Sequence, residues 1–314
     1  LTPDPSGLLD LAPGLSYTLL SRAGERMSDG LPEPAGHDGM ACFPIAGDRD
    51  RCVLVRNHEL SPGSEPRGPF PQGAGAFDPS FIYDAGVAGP VPGGTSSLIV
   101  DTRTMRVEIS WLSLAGTAQN CAGGPTPWGS WLTCKETQLL PGDRAKQAHG
   151  FVFEVPSGAR GPVEPVPLTG LGRYAHEAAA IDPATGIVYL TEDTADSLFY
   201  RFLPDAPGEL ARGGRLQALA LVSQARADPR NWAVEKGGDP AQRFAPGERH
   251  AVRWIDLDDV EAPDGDLRMR GRQKGAAVFA RGEGMAFALE RGRAAIYFAC
   301  TSGGAAGLGQ MWRF

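Results

Sequence analysis

The amino-acid sequence predicts an all-β protein, and two kinds of pattern lead to this prediction. The chain has 314 residues, of which 42 are Gly and 27 are Pro, and both types are spread along its whole length. Glycine and proline mark turns, so this distribution indicates many short elements and not one flexible linker. Between the turns lie short runs rich in Val, Ile, Leu, Tyr and Phe, which are typical of strands, whereas patterns for a long amphipathic helix are weak.

The second pattern is a hairpin module that recurs along the chain. Each copy opens with a polar residue beside small residues, passes through a turn and continues into an apolar strand. The copies span residues 38–59, 120–136, 176–193 and 282–304. Three copies end on carboxylates and one on hydroxyl residues: Glu59, Glu136, Glu192-Asp193 and Thr301-Ser302. A hairpin that cannot bury both of its faces alone must stack on its copies.

This repetition predicts a β-propeller, in which the copies stand around a central axis and leave few exposed sheet edges. Further strand candidates lie between the modules at Ser97–Val100, Val107–Leu112, Phe151–Val155, Phe199–Phe202, Leu216–Val222 and Val252–Ile255. The gap at 194–281 is long enough for another whole blade. We therefore expect six blades, or five, in a single domain that covers residues 1–314. The alternative architecture is a β-sandwich with glycine-rich loops.

Composition excludes several classes of function. The formal net charge is −7, which disfavours nucleic-acid binding because a phosphate backbone needs clustered Lys and Arg. No apolar run approaches the ~20 residues that span a bilayer. The chain opens with Leu1-Thr2-Pro3 and no Met, so we expect a processed or trimmed amino end. Five Cys residues are too few for a disulfide scaffold of this size.

The repeated modules also predict a metal site. The first position of the modules holds Asp38, Cys121, Glu177 and Glu283, and the last position holds Glu59, Glu136 and Glu192. Equivalent positions of copies around an axis converge at one mouth, where crowded carboxylates would repel one another unless cations were bound. Calcium takes six to eight oxygen ligands and suits such a cluster. The alternative for each residue taken alone is a solvated carboxylate or an inert core thiol.

One long segment resembles a known family. Residues 120–137, NCAGGPTPWGSWLTCKET, are similar to the Asn-Cys-Ala-Gly-Gly segment of PhoX-type alkaline phosphatases. The resemblance continues at residues 11–30, 53–60, 172–193, 280–285 and 301–314, and so covers nearly the whole chain. It implies a six-bladed propeller with an iron and calcium cluster. It further implies hydrolysis of phosphomonoesters at alkaline pH and twin-arginine export to a periplasmic or secreted location.

The resemblance also implies roles for individual residues. Cys121 is the expected thiolate ligand of iron, Fe³⁺, because a thiolate is a soft ligand suited to a transition metal. Carboxylate ligands of iron or of Ca²⁺ are expected at Glu59, Glu136, Glu177 and Glu283. Arg281 is expected to hold the phosphate of the small-molecule substrate, because the guanidinium fork binds phosphate through two hydrogen bonds.

The sequence departs from the family pattern in two places. Lys135 stands where the family has the first of two glutamates. Its side chain either faces away from the cluster, replaces one calcium by its ammonium group, or marks the loss of a metal site. The chain stops at Phe314, where family members continue. We therefore expect closure with five blades or by an amino-terminal strand, in a monomer or in a dimer paired through an exposed edge.

Several alternatives stay open from the sequence. Cys42 and Cys52 lie on the two arms of one hairpin, and a cross-strand disulfide competes with two free thiols. Cys134 and Cys300 lie on apolar strands and are expected to be buried thiols. A calcium-dependent propeller lactonase or phosphotriesterase is a second functional interpretation, and a non-catalytic calcium-binding propeller is a third. Iron together with calcium favours the phosphatase, and calcium alone favours its rivals.

Overall fold

The computed structural model describes residues 1–314 and contains fifteen strands in four antiparallel sheets. The first sheet consists of β1 (His37–Ile45), β2 (Asp48–His58), β3 (Gly93–Asp101) and β4 (Arg106–Thr117). The second consists of β5 (Asn120–Pro125), β6 (Ser130–Lys135) and β7 (Phe153–Pro156). The third consists of β8 (His176–Ile181), β9 (Val188–Glu192), β10 (Tyr200–Pro204), β11 (Gly214–Leu221) and β12 (Val252–Asp256). The fourth consists of β13 (Gly282–Glu290), β14 (Arg293–Cys300) and β15 (Gln310–Arg313).

Helical structure is confined to short segments between the strands. The single α-helix, α1, spans Leu267–Gln273, and 3₁₀ turns occupy Glu65–Arg67, Pro79–Phe81, Thr169–Leu171, Leu210–Arg212 and Val234–Lys236. None of these helices has the length and apolar character that a membrane crossing requires. The predicted all-β class is confirmed, and the strand candidates between the modules overlap β3, β4, β7, β10, β11 and β12.

Each sheet is a meander in which every strand pairs with the next strand along the chain. The first strands of the sheets pack side by side in chain order, with β5 against β1, β8 against β5 and β13 against β8. These four strands are the opening strands of the four hairpin modules, so the fold brings the starts of the modules together.

The segment between residues 194 and 281 does not form the separate blade that its length suggested. Its strands β10, β11 and β12 extend the third sheet, since β10 pairs with β9 from Tyr200 opposite Leu190. Only a short connection separates β9 from β10, and strands joined by short connections pair with each other in most folds. The rest of the segment is the long irregular connection 222–251 and the helix α1.

The apolar core lies between consecutive sheets. Phe43 and Val55 of the first sheet pack with Phe153 of the second in one buried cluster. A second cluster joins strand β6 to the third sheet, and a third cluster joins the third sheet to the fourth, where the rings of Phe199 and Phe298 stack with centroids 4.3 Å apart. Each of the three interfaces between sequential sheets is therefore closed by its own apolar layer.

All five cysteines are thiols in the structure. Cys42 lies opposite Leu54 and Cys52 lies opposite Pro44, so the two cysteines are diagonal neighbours across the hairpin and not a directly opposed pair. Burial and the neighbouring Cys42 thiol together raise the pKa of Cys52 to about 11. Cys134 and Cys300 are buried, as predicted.

Candidate metal centre

The four opening strands share a bulge at the same place. In each of them the register with the following strand shifts after the first residue: between His37 and Met40, Asn120 and Gly123, His176 and Ala179, and Gly282 and Met285. A bulge places an extra residue in one strand and redirects its side chain. The first residues within the bulges are Asp38, Cys121, Glu177 and Glu283. The predicted starting positions of the modules are therefore structurally equivalent.

The second strands of the hairpins end in an equally regular way. The last residues paired with the opening strands are His58, Lys135, Glu192 and Cys300. The N–H of the next residue donates to the carbonyl that precedes the opening strand, at 2.7 Å for Glu59 to Gly36, 2.9 Å for Glu136 to Gln119, 3.1 Å for Asp193 to Ala175 and 3.0 Å for Thr301 to Arg281. The equivalent end position in the third module is therefore Asp193, not Glu192, which was the residue chosen from the sequence.

The bulges and the strand ends together form a compact cluster of ligand-type side chains. The Sγ atom of Cys121 donates to Glu177 Oε2 at 3.0 Å. The ligand atoms of Cys121, Glu136 and Glu177 all lie within 4.8 Å of one another, and so do those of Glu177, Asp193 and Glu283. Glu177 belongs to both groups, so the two groups form one continuous site.

Burial and mutual repulsion both disfavour several negative charges close together in this cluster. Burial, and then the charges of neighbouring carboxylates, raise the pKa of Glu177 to about 8. Burial and the charge of Asp193 raise the pKa of Glu136 to about 7. The pKa of Glu283 is also raised, and burial together with Glu177 raises that of the Cys121 thiol. The fully ionised cluster is therefore costly unless cations balance its charge.

The donor set fits metal ions of two kinds. Cys121, Glu136 and Glu177 combine one sulfur with carboxylate oxygens, a mixture that suits a transition metal. Glu177, Asp193 and Glu283 offer only oxygen, which suits a hard cation such as calcium. The predicted ligands Cys121, Glu136, Glu177 and Glu283 are thus brought together.

Glu59 lies at the margin of the site. It is outside the two tight groups, and its pKa is raised by burial and by the adjoining carboxyl group of Asp38. Its charge also contributes to the raised pKa of Glu136. The structure therefore places Glu59 and Asp38 next to the cluster, on the side of the first sheet.

Arg281 lies at the rim of the cluster, with its side chain 46% exposed. Its Nε donates to Asp193 Oδ1 at 2.8 Å, its Nη2 also donates to Asp193 Oδ2, and Nη2 donates to Glu283 Oε1 at 3.2 Å. Thr301 Oγ1 donates to the same Glu283 oxygen at 3.2 Å. The fourth module thus supplies a hydroxyl that orients Glu283, at the position where the other modules carry a carboxylate.

Comparison with known proteins identifies the family. The family model described as "Alkaline phosphatase PhoX" matches residues 1–73 and 87–313. The chain belongs to the PhoX alkaline phosphatase family.

The structural comparison agrees with this family. The fold is similar to the solved structure described as "Pseudomonas fluorescens PhoX in complex with vanadate, a transition state analogue", with a TM-score of 0.55 and 18% identity. The match covers 89% of this chain and 63% of that chain. The chain therefore spans less than two thirds of that structure's length. No curated protein matches the sequence.

Lys135, the residue expected from the sequence to depart from the family pattern, faces away from the cluster. Its side chain is fully buried, with Nζ 4.6 Å from the ring centre of Tyr83 and 4.4 Å from that of Phe153. Nζ lies 3.3 Å from His149 Nδ1, and His149 Nε2 lies 3.1 Å from Asp84 Oδ2. Burial holds the pKa of Lys135 well below its usual value, and Asp84 opposes that shift.

Part of this buried pocket lies outside the family match. Tyr83 and Asp84 belong to residues 74–86, the internal segment that the PhoX model does not match. Asp84 also accepts hydrogen bonds from the backbone N–H groups of Lys146 and Gln147, at 2.9 Å each to Oδ2. One of the two aromatic rings near Lys135 and the carboxylate of Asp84 are therefore supplied by a segment that the PhoX model does not match.

A second group of ligand-type residues is balanced without a metal. Glu33, His37 and His58 lie within reach of one ion. However, Arg56 Nη2 lies 2.5 Å from Glu33 Oε1, the same oxygen that faces both histidines. Burial lowers the pKa of His58 to about 3, so this imidazole is neutral in the fold. Glu33 and Arg56 form a buried ion pair beside the end of β2.

Proposed function

We propose that the protein is a metal-dependent phosphomonoesterase, an alkaline phosphatase whose centre is the cluster built on the four bulges. The observation that carries the proposal is the convergence of Cys121, Glu136, Glu177, Asp193 and Glu283 in a chain of the PhoX family. The vanadate named for the similar Pseudomonas fluorescens structure suggests the same transition-state analogue as an inhibitor here.

The proposed metals are Fe³⁺ and Ca²⁺. Cys121, Glu136 and Glu177 would hold iron, and Glu177, Asp193 and Glu283 would hold calcium, with Glu59 and Asp38 available to a further calcium. Bound cations of this kind supply Lewis-acid polarisation of the phosphoryl group and an activated oxygen nucleophile. The high pKa of the Cys121 thiol in the metal-free fold means that metal binding has to displace its proton.

Arg281 would bind the phosphate group. The guanidinium is half-exposed at the rim and presents a fork that matches phosphate oxygens. It is paired with Asp193 in the structure, so a cation that neutralises Asp193 would free the fork for substrate. Thr301 would hold Glu283 in place while Arg281 turns toward the phosphate.

The finer architecture is part of the proposal. We propose that the four sheets are blades of one propeller domain, because their opening strands pack in sequence and carry equivalent bulges. We further propose a periplasmic or secreted protein exported by the twin-arginine route, acting as a monomer or an edge-paired dimer on small phosphate esters.

Hydrolysis of p-nitrophenyl phosphate at alkaline pH tests the proposal, with added calcium and after chelation. We expect calcium-dependent release of nitrophenol that vanadate inhibits. Glu283→Ala should lower kcat/KM by more than about 100-fold, since direct metal ligands matter at least as much as the groups around them. Glu209→Ala is the matched control, because Glu209 is exposed and pairs only with Arg212 on the surface.

Metal analysis separates the proposal from its rivals. Iron with calcium in the purified protein supports the phosphatase. Calcium alone, with no phosphate release from a folded protein, would contradict it and favour a lactonase or a non-catalytic calcium-binding protein.

A further inference from the structure

The residues that immediately precede the four opening strands are also equivalent. Gly36, Gln119, Ala175 and Arg281 each accept a hydrogen bond at their carbonyl from the end of their own hairpin. Three of them have a left-handed backbone, with φ of 63° at Gly36, 49° at Gln119 and 55° at Arg281. Gln119 therefore occupies the position in the second module that Arg281 occupies in the fourth.

A second hydrogen bond makes this equivalence closer. The N–H of Gln119 donates to Leu60 O at 2.9 Å, and the N–H of Arg281 donates to Thr194 O at 2.9 Å. Leu60 and Thr194 each directly follow the end residue of the preceding hairpin. Both sides of each residue are thus fixed by the ends of two consecutive hairpins, so the two Cα–Cβ bonds take the same direction relative to their modules.

The side chain of Arg281 shows where this direction leads. It reaches Asp193 at the end of the preceding hairpin and Glu283 in the bulge of its own module. The corresponding neighbours of Gln119 are Glu59 and Cys121. Gln119 is half-buried. Its equivalence with Arg281 predicts that its side chain extends toward the rim on the Cys121 side of the centre.

The backbone conformation gives a reason to expect a function for this side chain. A left-handed φ disfavours residues other than glycine, and such strain is concentrated at functional sites. Gly36 shows that the same position accepts glycine without loss of the hairpin geometry. A long amide side chain is therefore present at Gln119 at an energetic cost that glycine would avoid.

We infer that Gln119 is a second substrate-binding residue, whose side-chain N–H donates to a phosphate oxygen on the Cys121 side while Arg281 binds on the Glu283 side. This inference rests on the proposed phosphatase function. A neutral amide suits the position, because it offers a donor to the anionic phosphate without competing for the carboxylate ligands as a second guanidinium would.

The variant Gln119→Gly tests the inference in the metal-loaded protein. We expect the dissociation constant of inorganic phosphate, measured by calorimetry, to rise roughly tenfold, because a hydrogen bond to a charged group is lost. The kcat/KM for p-nitrophenyl phosphate should fall by a similar factor. The melting temperature should stay equal or rise, since glycine relieves the left-handed φ. Arg226→Gly is the matched control, because Arg226 has φ 56° and is exposed in a turn outside the site.

The outcomes are distinguishable. Unchanged phosphate affinity in Gln119→Gly, in a wild type that hydrolyses the ester, would overturn the inference, and so would a fall in kcat/KM without weaker phosphate binding. A wild-type protein that neither binds phosphate nor hydrolyses the ester would overturn the proposed function itself.

Discussion

Two neighbouring residues at the end of β6 face opposite environments. Glu136 points into the candidate metal centre, where carboxylates and a thiol crowd together. Lys135 points into a closed pocket with aromatic rings, a neutral histidine and one carboxylate. Because neighbours in a strand point to opposite faces, one residue step separates a site that needs cations from a site that already contains a basic group.

The contributions of the two faces to stability also depend on pH with opposite signs. On the Glu136 face, burial raises the pKa of carboxyl groups, so in the metal-free fold they bind protons that the unfolded chain has released. On the Lys135 face, burial lowers the pKa of Lys135 and of His149, so the unfolded chain binds protons that the fold excludes. As pH rises, the contribution of the Glu136 face to the unfolding free energy therefore falls when no cations are bound, and the contribution of the Lys135 face rises.

The largest effect should come from reversing the charge of the pocket. Lys135→Glu would place a carboxylate beside Asp84 with no cation, and we expect a loss of about 3–5 kcal/mol of unfolding free energy, as when a buried charge loses its partner. Lys135→Met keeps the length and the aromatic contacts and should cost only about 1 kcal/mol, the value of one hydrogen bond. Denaturant unfolding of both variants measures the difference.

The metal content of the same variants tests whether Lys135 takes part in the metal centre. The calcium and iron content of Lys135→Met should equal that of the wild type, because the ammonium group lies outside the cluster. A change in the bound metal would contradict the arrangement of the two faces. It would instead support an ammonium group that takes the place of one calcium.

A smaller effect is expected from Glu177→Gln in chelated protein. The pKa of Glu177 is about 8 in the fold against an ordinary value of 4.5, so wild-type stability should fall as pH rises through this window. One titrating group gives up to 1.36 kcal/mol per pH unit, hence about 2 kcal/mol between pH 6 and 8. Between pH 6 and 8 the unfolding free energy of Glu177→Gln should therefore fall by about 2 kcal/mol less than that of the wild type, as measured by thermal or denaturant unfolding.

Added calcium should reverse the difference in stability between the wild type and Glu177→Gln. With calcium present, the wild type should gain stability through binding, and Glu177→Gln should gain less because it has lost a ligand. The exposed pair partner Glu209, changed to Gln, serves as control and should follow the wild type at every pH. Equal pH dependence in Glu177→Gln and the wild type would show that Glu177 is not under strain in the metal-free fold.

The sequence predicted the opening positions of the modules better than the rest of the site. Cys121, Glu177 and Glu283 follow from repetition alone, because the same local pattern produces the same bulge each time. Asp193 was missed because Glu192 is equally acidic and the choice between them depends on strand register. A register count from the paired residues His176 and Glu192 identifies Asp193 as the equivalent of Glu136.

Long-range contacts account for what the sequence could not predict. The partners of Lys135 come from segments more than ten residues away, with Tyr83 and Asp84 on one loop and His149 on another. No local spacing joins these residues, so only the fold shows that Lys135 is accommodated away from the cluster. The extra strands β10–β12 were likewise detected as strands, but their membership of the third sheet depends on pairing that composition does not encode.

The smallest predicted effect concerns the histidine of the buried pocket in mild acid. Burial and the charge of Lys135 lower the pKa of His149 to about 3, below its ordinary 6.5. Its contribution to stability is complete above pH 6.5 and is lost as pH falls toward 3, because only the unfolded chain takes up the proton.

His149→Gln keeps groups that can accept from Lys135 and donate to Asp84 but does not titrate. Between pH 6.5 and 5.5 the wild type should therefore lose about 1 kcal/mol more than the variant in denaturant unfolding. The buried His58 and His176 have similarly lowered pKa values in both proteins, so the difference reports His149 alone. Parallel curves would mean that His149 takes up its proton in the fold as readily as in the unfolded chain, which would require Lys135 to be neutral and Asp84 to balance the imidazolium charge.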